Sequence, residues 1–166
     1  LFTPVEQELG TPAIVIYNAG LRTPGSLTEV SAQDVADSLL VNAYGGFLVA
    51  QAAARRMIPL GEGAIFLTGA SASVKGYARS APFAMGKFAL RGLAQSIARE
   101  LAPKNIHVAH VVIDGAIRSE SRLEPADRPD SLLDPDAIAQ TYLAILRQPR
   151  NAWTWEVELR PWVETF

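Results

Sequence analysis

Three short apolar runs constrain this chain more than anything else in it: Ala13-Ile14-Val15-Ile16-Tyr17, Gly63-Ala64-Ile65-Phe66-Leu67-Thr68, and Ile106 to Ile113. None alternates strictly between apolar and polar residues, as a strand with one wet face would. Each is therefore expected to be a strand covered on both faces, the habit of parallel sheets. Helix-length stretches lie between them. Phe2 to Leu9 is a short helical stretch, and Ser31 can cap a long helix. Val35, Leu39, Leu40, Phe47 and Leu48 carry that helix to about Met57, before Pro59 and Gly61 end it. Phe83 to Leu101 repeats apolar and small residues at helical spacing and closes at Pro103. Asp134 or its neighbour starts another helix, with Pro135 near its first turn and Ile138, Tyr142 and Ile145 on one face. Trp153 to Leu159 alternates as a last strand. Strands and helices taking turns imply an α/β fold: a parallel sheet with right-handed crossovers and helices on both faces.

Half of the chain is apolar, 49% of 166 residues, enough to bury one sizeable core. Residues 1–166 thus read as one domain or most of one. Positive and negative side chains nearly balance at a net charge of −2, so no strong field steers the protein to nucleic acid or to an anionic membrane surface. The absence of cysteine excludes disulfides and thiolate-held metal, and no metal site is expected. It fits a reducing, cytoplasmic setting. No charge-free apolar stretch reaches the about 20 residues needed to span a bilayer. The sequence opens at Leu1 rather than methionine, so residues upstream are expected.

Several residues interrupt the packing pattern in ways that bear on chemistry. Asn18-Ala19-Gly20 closes the first strand, where Gly20 allows a close backbone approach or a positive backbone dihedral. Asn42 sits inside an apolar helix, and a buried amide left unsatisfied costs about 1–3 kcal/mol. It must therefore have specific partners, in the core or in a site. Gly45 and Gly46 weaken the same helix by about 1 kcal/mol each relative to alanine, which suggests a backbone or ligand passing close. Phe83 and Lys87 project from one helical face one turn apart, with Ala81, Ala84, Gly86 and Ala89 around the lysine. Ser71 serves the backbone of its own turn or a site beside that helix. His107 and His110, three residues apart on a strand, face opposite ways and cannot act as a pair. Trp153, Trp155 and Trp162 read as core or subunit packing.

Four of these pieces occur in an order that resembles the short-chain dehydrogenases/reductases, and the resemblance covers nearly the whole chain. They are Asn18-Ala19-Gly20 after a strand, Val41-Asn42-Ala43-Tyr44-Gly45 in a long helix, the Phe83/Lys87 frame, and Asp114-Gly115-Ala116-Ile117-Arg118-Ser119 after the third strand. The resemblance implies a Rossmann-type domain that acts on a carbonyl/alcohol pair of a small molecule with NAD or NADP. It implies that Asn18, Ala19 and Gly20 line the adenosine side of the cofactor and that Lys87 bonds the ribose. Asn42 would hold a relay water, and Ser71 would donate to the substrate oxygen. Gly115, Ile117 and Ser119 would meet the carboxamide and phosphates, and Arg122 and Arg128 would belong to a variable substrate lid. Family members assemble as dimers or tetramers through the two long helices, so a homodimer or homotetramer is expected.

The departures are as informative. Phe83 stands where the family has its catalytic tyrosine, and a phenyl ring cannot donate, accept or ionise. The family's serine count lands on Ala70, one residue short of Ser71. Asp114 replaces a proline, which should loosen the turn and add a negative charge. Tyr77 lies nearby, but Ala81 rather than a lysine follows one turn later. No Gly-x-x-x-Gly-x-Gly turn precedes Ala13. The first three strands and the pyrophosphate cradle are therefore absent, and the chain reads as the C-terminal two-thirds of the domain. The alternative is a noncatalytic nucleotide-binding or subunit-assembly protein that keeps the frame without the phenol.

Overall fold

The structure, a computed structural model, describes residues 1–165. Helix α1 (Phe2–Leu9) precedes strand β1 (Ile14–Tyr17), and α2 (Ala32–Leu39) runs through a π turn at Leu40–Tyr44 into α3 (Gly45–Leu60). Strand β2 (Gly63–Thr68), helix α4 (Ala81–Leu101), strand β3 (Ile106–Ile113), helix α5 (Pro135–Leu146) and strand β4 (Glu156–Leu159) follow. The four strands form one sheet in the order β1-β2-β3-β4, every pair parallel. Helices cover both faces. Met57 of α3 and Leu90 and Ala94 of α4 pack with Ile65, Leu67, Ile106 and Val108 on one side. Ile145, Ile138 and Tyr142 of α5 pack with Phe66, Ala109, Val111 and Ile113 on the other.

Local chemistry explains where the elements begin and end. Ser31 caps α2 through a capping box: its hydroxyl accepts from the Asp34 backbone N–H at 3.0 Å, and the Asp34 carboxylate accepts from the Ser31 backbone N–H. Gly61 closes α3 with φ +70°, so the helix runs past Pro59 to Leu60 before turning. Asp134 caps α5 by accepting from the Asp136 backbone N–H.

Among the described residues β1 pairs with β2. Among the same residues, Ile14 of β1 is 44% and Ile16 49% exposed, while Val15 and Tyr17 pack inward. One expectation about the strands needs correction, that for the last. The last strand starts at Glu156, not Trp153. Trp153 stacks on His107 at 4.7 Å, whereas Arg91 lies over the Trp155 ring, so the two indoles do not share a sheet face.

The glycines of the long helix lie in tight places. A Cβ on Gly46 would meet Leu90 Cδ1 at 2.5 Å, and one on Gly45 would strike the Tyr17 hydroxyl and lie 3.3 Å from the Leu40 carbonyl oxygen. A second tight contact between helices lies at Gly86 of α4. A Cβ there would lie 2.6 Å from Asn42 Cβ and 3.2 Å from the Ser38 carbonyl oxygen. Neither atom is the tip of a flexible side chain. Gly86→Ala is expected to cost about 1–2 kcal/mol by overpacking, net of its gain in helix propensity. The check is a lower urea midpoint at unchanged m; an equal or higher midpoint would mean that the two helices separate freely.

Candidate active site

A cleft of about 590 Å³ opens at the carboxyl ends of β2 and β3, within the about 300–1,000 Å³ usual for small-molecule sites. Gly20, Ser71, Phe83, Lys87, Gly115 and Ile117 all line it. The chain leaves β2 through Gly69, which has no room for a side chain because His110 Nε2 occupies the place of a Cβ. That close approach turns the backbone into a 3-10 turn at Ser71–Ser73 and exposes Ser71 to the cleft. Ser73, fully buried, accepts from the Ala70 backbone N–H at 3.1 Å and braces the turn. α4 then brings Phe83 and Lys87 to the same wall. Lys87, 4% exposed, donates to the Thr68 carbonyl at 2.9 Å, with Nζ 5.8 Å from the centre of the Phe83 ring. Burial lowers its pKa to about 8.

Asn42, fully buried in the π turn, reaches the loop after β1. Its Nδ2 donates to the Leu21 carbonyl at 2.7 Å and to Ser38 O at 2.9 Å, and its Oδ1 accepts from the Leu21 backbone N–H at 3.2 Å. π turns tend to occur at functional sites, and this one aims an amide at the loop. Gly20 lies between Asn42 and Lys87: a Cβ on it would sit 3.5 Å from Asn42 Oδ1 and 3.7 Å from Lys87 Nζ. Those are ordinary contacts, and Gly20 is not among the residues with positive φ, so its backbone alone does not demand glycine. Gly115 does demand it, with φ +152° and Pro161 Cδ 2.7 Å from any Cβ.

Two ionic groups lie under the cleft. Asp114, with no exposed surface, accepts from Lys75 Nζ at 2.8 Å and pairs with Arg160 at 3.3 Å. Burial works against its charge, but Lys75, the Ser71 hydroxyl and Arg160 outweigh it and hold the carboxyl below its ordinary range. Asp114 therefore pins the turn it was expected to loosen. On the α4 side of β3, His110 Nδ1 lies 2.9 Å from Glu156, which also accepts two bonds from Arg91 at 2.6 and 2.7 Å. Burial pushes the His110 pKa down against the pull of Glu156, which keeps the ring neutral. His107 faces the opposite side and bonds the Thr154 carbonyl at 2.9 Å.

The pattern of the short chain dehydrogenase family matches residues 1–126. The chain belongs to that family. Carbonyl reductase family member 4 of Xenopus tropicalis is 30% identical over 157 residues, which cover 89% of this chain and 65% of that protein. A short-chain dehydrogenase from Rhodopseudomonas palustris superposes with a TM-score of 0.75 at 38% identity, covering 90% of this chain and 62% of the other. A metagenomic short-chain oxidoreductase, solved in complex with NADP, gives a TM-score of 0.80 at 25% identity over 98% of this chain and 67% of its own. The chain thus spans slightly less than two-thirds of the length of the first two of these proteins.

Within this member of the short chain dehydrogenase family, the residues singled out by sequence do not all converge. Ser71, Phe83, Lys87, Gly20, Gly115 and Ile117 share the cleft, with Asn42 behind Gly20. Asn18 lines a neighbouring apolar cavity with Ile16, Ile117 and Tyr142. Ala19 is exposed and lines neither, and Ser119 bonds Ser121 out on the loop. Tyr77 and Arg122 also line the cleft. Sequence reasoning missed Lys75, Arg160 and the Arg91–Glu156–His110 group. The available signal was Asp114 itself: an acid ending an otherwise apolar strand must be paired if buried.

Proposed function

We propose that this protein is an oxidoreductase interconverting the carbonyl and alcohol of a small molecule with NAD or NADP, from a site where phenylalanine stands at the acid position. One observation carries the reading: Ser71 and Lys87, from different elements, meet in one cleft at the carboxyl ends of parallel strands. That is where open α/β sheets bind ligands. Residues 1–166 are the C-terminal two-thirds of a single Rossmann-type domain on this reading, and the setting is cytoplasmic. No helix among the described residues is long and apolar enough to cross a membrane.

The residues present fit such a cofactor. Lys87 uses one N–H on Thr68 and keeps two for the cleft, enough to bond ribose hydroxyls. Asn18, Ala19 and Gly20 would follow the cofactor at the end of β1, and Gly115, Ile117 and Ser119 beyond β3. When bound, the nicotinamide supplies or accepts a hydride. Ser71, by turning its one O–H from Asp114 into the cleft, would hydrogen bond the substrate oxygen, and Asn42 Oδ1 retains a lone pair for a water beside Lys87. Phe83 supports a second reading, a noncatalytic nucleotide-binding or assembly protein. The test is NADH and NADPH binding by the full-length protein, followed by turnover on carbonyls and alcohols. Binding without turnover favours the nucleotide-binding form of the second reading, and no binding leaves only its assembly form.

Assembly as a homodimer or homotetramer belongs to the same proposal. Tyr44, Phe47, Leu48, Met85 and Phe88 are 41–53% exposed on the π turn, α3 and α4. Phe88→Glu is expected to shift sedimentation to a smaller species without loss of fold. A wild type that already sediments as a monomer would sink this part.

A further inference from the structure

We propose that Lys87 itself exchanges the proton with the substrate oxygen, directly or across one water, in place of the side chain that Phe83 cannot supply. The inference rests on the nicotinamide-dependent reading above and deepens it. Its first support is position. Nζ lines the same cleft as Ser71 and faces the Phe83 ring, where the family pattern has its acid. Its second is the absence of neutralisation. The acceptor it bonds is the uncharged Thr68 carbonyl, and no described carboxylate pairs with it. An ammonium carries three donors, so two remain for the cleft, one for a cofactor hydroxyl and one for the substrate.

The charged groups around it leave that proton mobile. From β3, neutral His110 lies behind Gly69, with its Glu156 partner already committed to Arg91. On the loop after β2, Lys75 is paired with Asp114, and Tyr77 is 49% exposed. α2 and its π turn present the uncharged Ser38 and Asn42. At the cleft wall stand Arg22, Arg122 and Glu164, and the two guanidiniums do not exchange protons near neutrality. Burial lowers the lysine's pKa to about 8, so both of its forms are populated near neutral pH.

The step balances. In reduction, the carbonyl carbon gains a hydride from a reduced nicotinamide, and the π electron pair moves to the oxygen and takes a proton from Nζ. The products are an alcohol, an oxidised nicotinamide and a neutral amine, which regains its proton from solvent. In oxidation, the neutral amine takes the hydroxyl proton as the hydride leaves carbon.

The test uses the full-length protein with Lys87→Ala, NADPH and NADH binding by fluorescence, and 13Cε-lysine NMR. The expected results are titration of Lys87 in the wild type near pH 8 with no cofactor present, and reduction that falls as pH rises through that value. Lys87→Ala should lose about 100-fold to 10,000-fold in turnover, the usual share of acid/base catalysis, with a smaller loss of binding. Small alkylamines should restore turnover in order of basicity. Lys87 would be a cofactor-holding group only if binding and turnover fell together and amines restored nothing. A pH limb that moved with Tyr77→Phe instead would also overturn the proposal. Failure of the wild type to bind either cofactor would overturn the underlying reading as well.

Discussion

Phe83→Tyr is expected to raise kcat/KM for carbonyl reduction by about 100-fold, the lower end of what a general acid contributes. The low end applies because Lys87 already carries part of the proton transfer. The Phe83 ring lines the cleft and Lys87 lies one helical turn away on the same face, so a phenol there would sit beside a cation. That charge favours the phenolate and draws the phenol toward a pKa useful for exchange. Ser71, which lines the same cleft, can bond the same substrate oxygen. About 100-fold corresponds to about 2.7 kcal/mol in barrier. The pH dependence should change with the rate, because the limb set by Lys87 gives way to one set by the phenol. Steady-state rates across pH for both proteins decide it. Equal activity and an unmoved limb would mean that the missing phenol does not limit the reaction.

The sequence was most legible where one local rule decided the outcome. Branched apolar runs became β1, β2 and β3; Ser31 started α2; and Asp134 with Pro135 started α5. Phe83 and Lys87 were placed on one wall by helical spacing alone. What could not be read depends on residues far apart in the chain. The order β1-β2-β3-β4 is one such feature, because an apolar run carries no mark of its place in the sheet. Gly45 and Gly46 announced crowding, but only the fold supplies Tyr17 and Leu90 as the crowding groups. Gly86 looked like one more small residue beside Lys87, yet it lets α4 touch Asn42 and so couples the helix of the lysine to the loop of Gly20. His107 and His110 were correctly read as facing apart. Their burial required Trp153 and Glu156, 46 residues along in each case.

Asp114 shows how a departure from a family pattern can become structural, and its removal has the largest effect on stability expected in this chain. Asp114→Ala should cost about 3 kcal/mol, the low end of the about 3–5 kcal/mol seen when one member of a buried ion pair is deleted. The low end applies because Lys75, 30% exposed, can turn to water, and Arg160 retains Glu158. The pH dependence has a definite sign. The Asp114 carboxyl is held below its ordinary range in the folded protein, so its contribution is present above the unfolded pKa of about 3.9 and is lost as pH falls through the folded value. The gap in urea-unfolding free energy between wild type and Asp114→Ala should therefore be full at neutral pH and close in acid. A gap unchanged down to the acid limit would mean that shape, not charge, is what Asp114 supplies. The variant also frees Ser71 from the carboxylate beneath it. A structural anchor alone predicts lost stability with unchanged turnover per folded molecule, whereas an anchor that also aims Ser71 predicts lower kcat as well. Measuring both on one variant separates the two roles of a residue that joins the end of β3, the chain after β4 and the floor of the cleft.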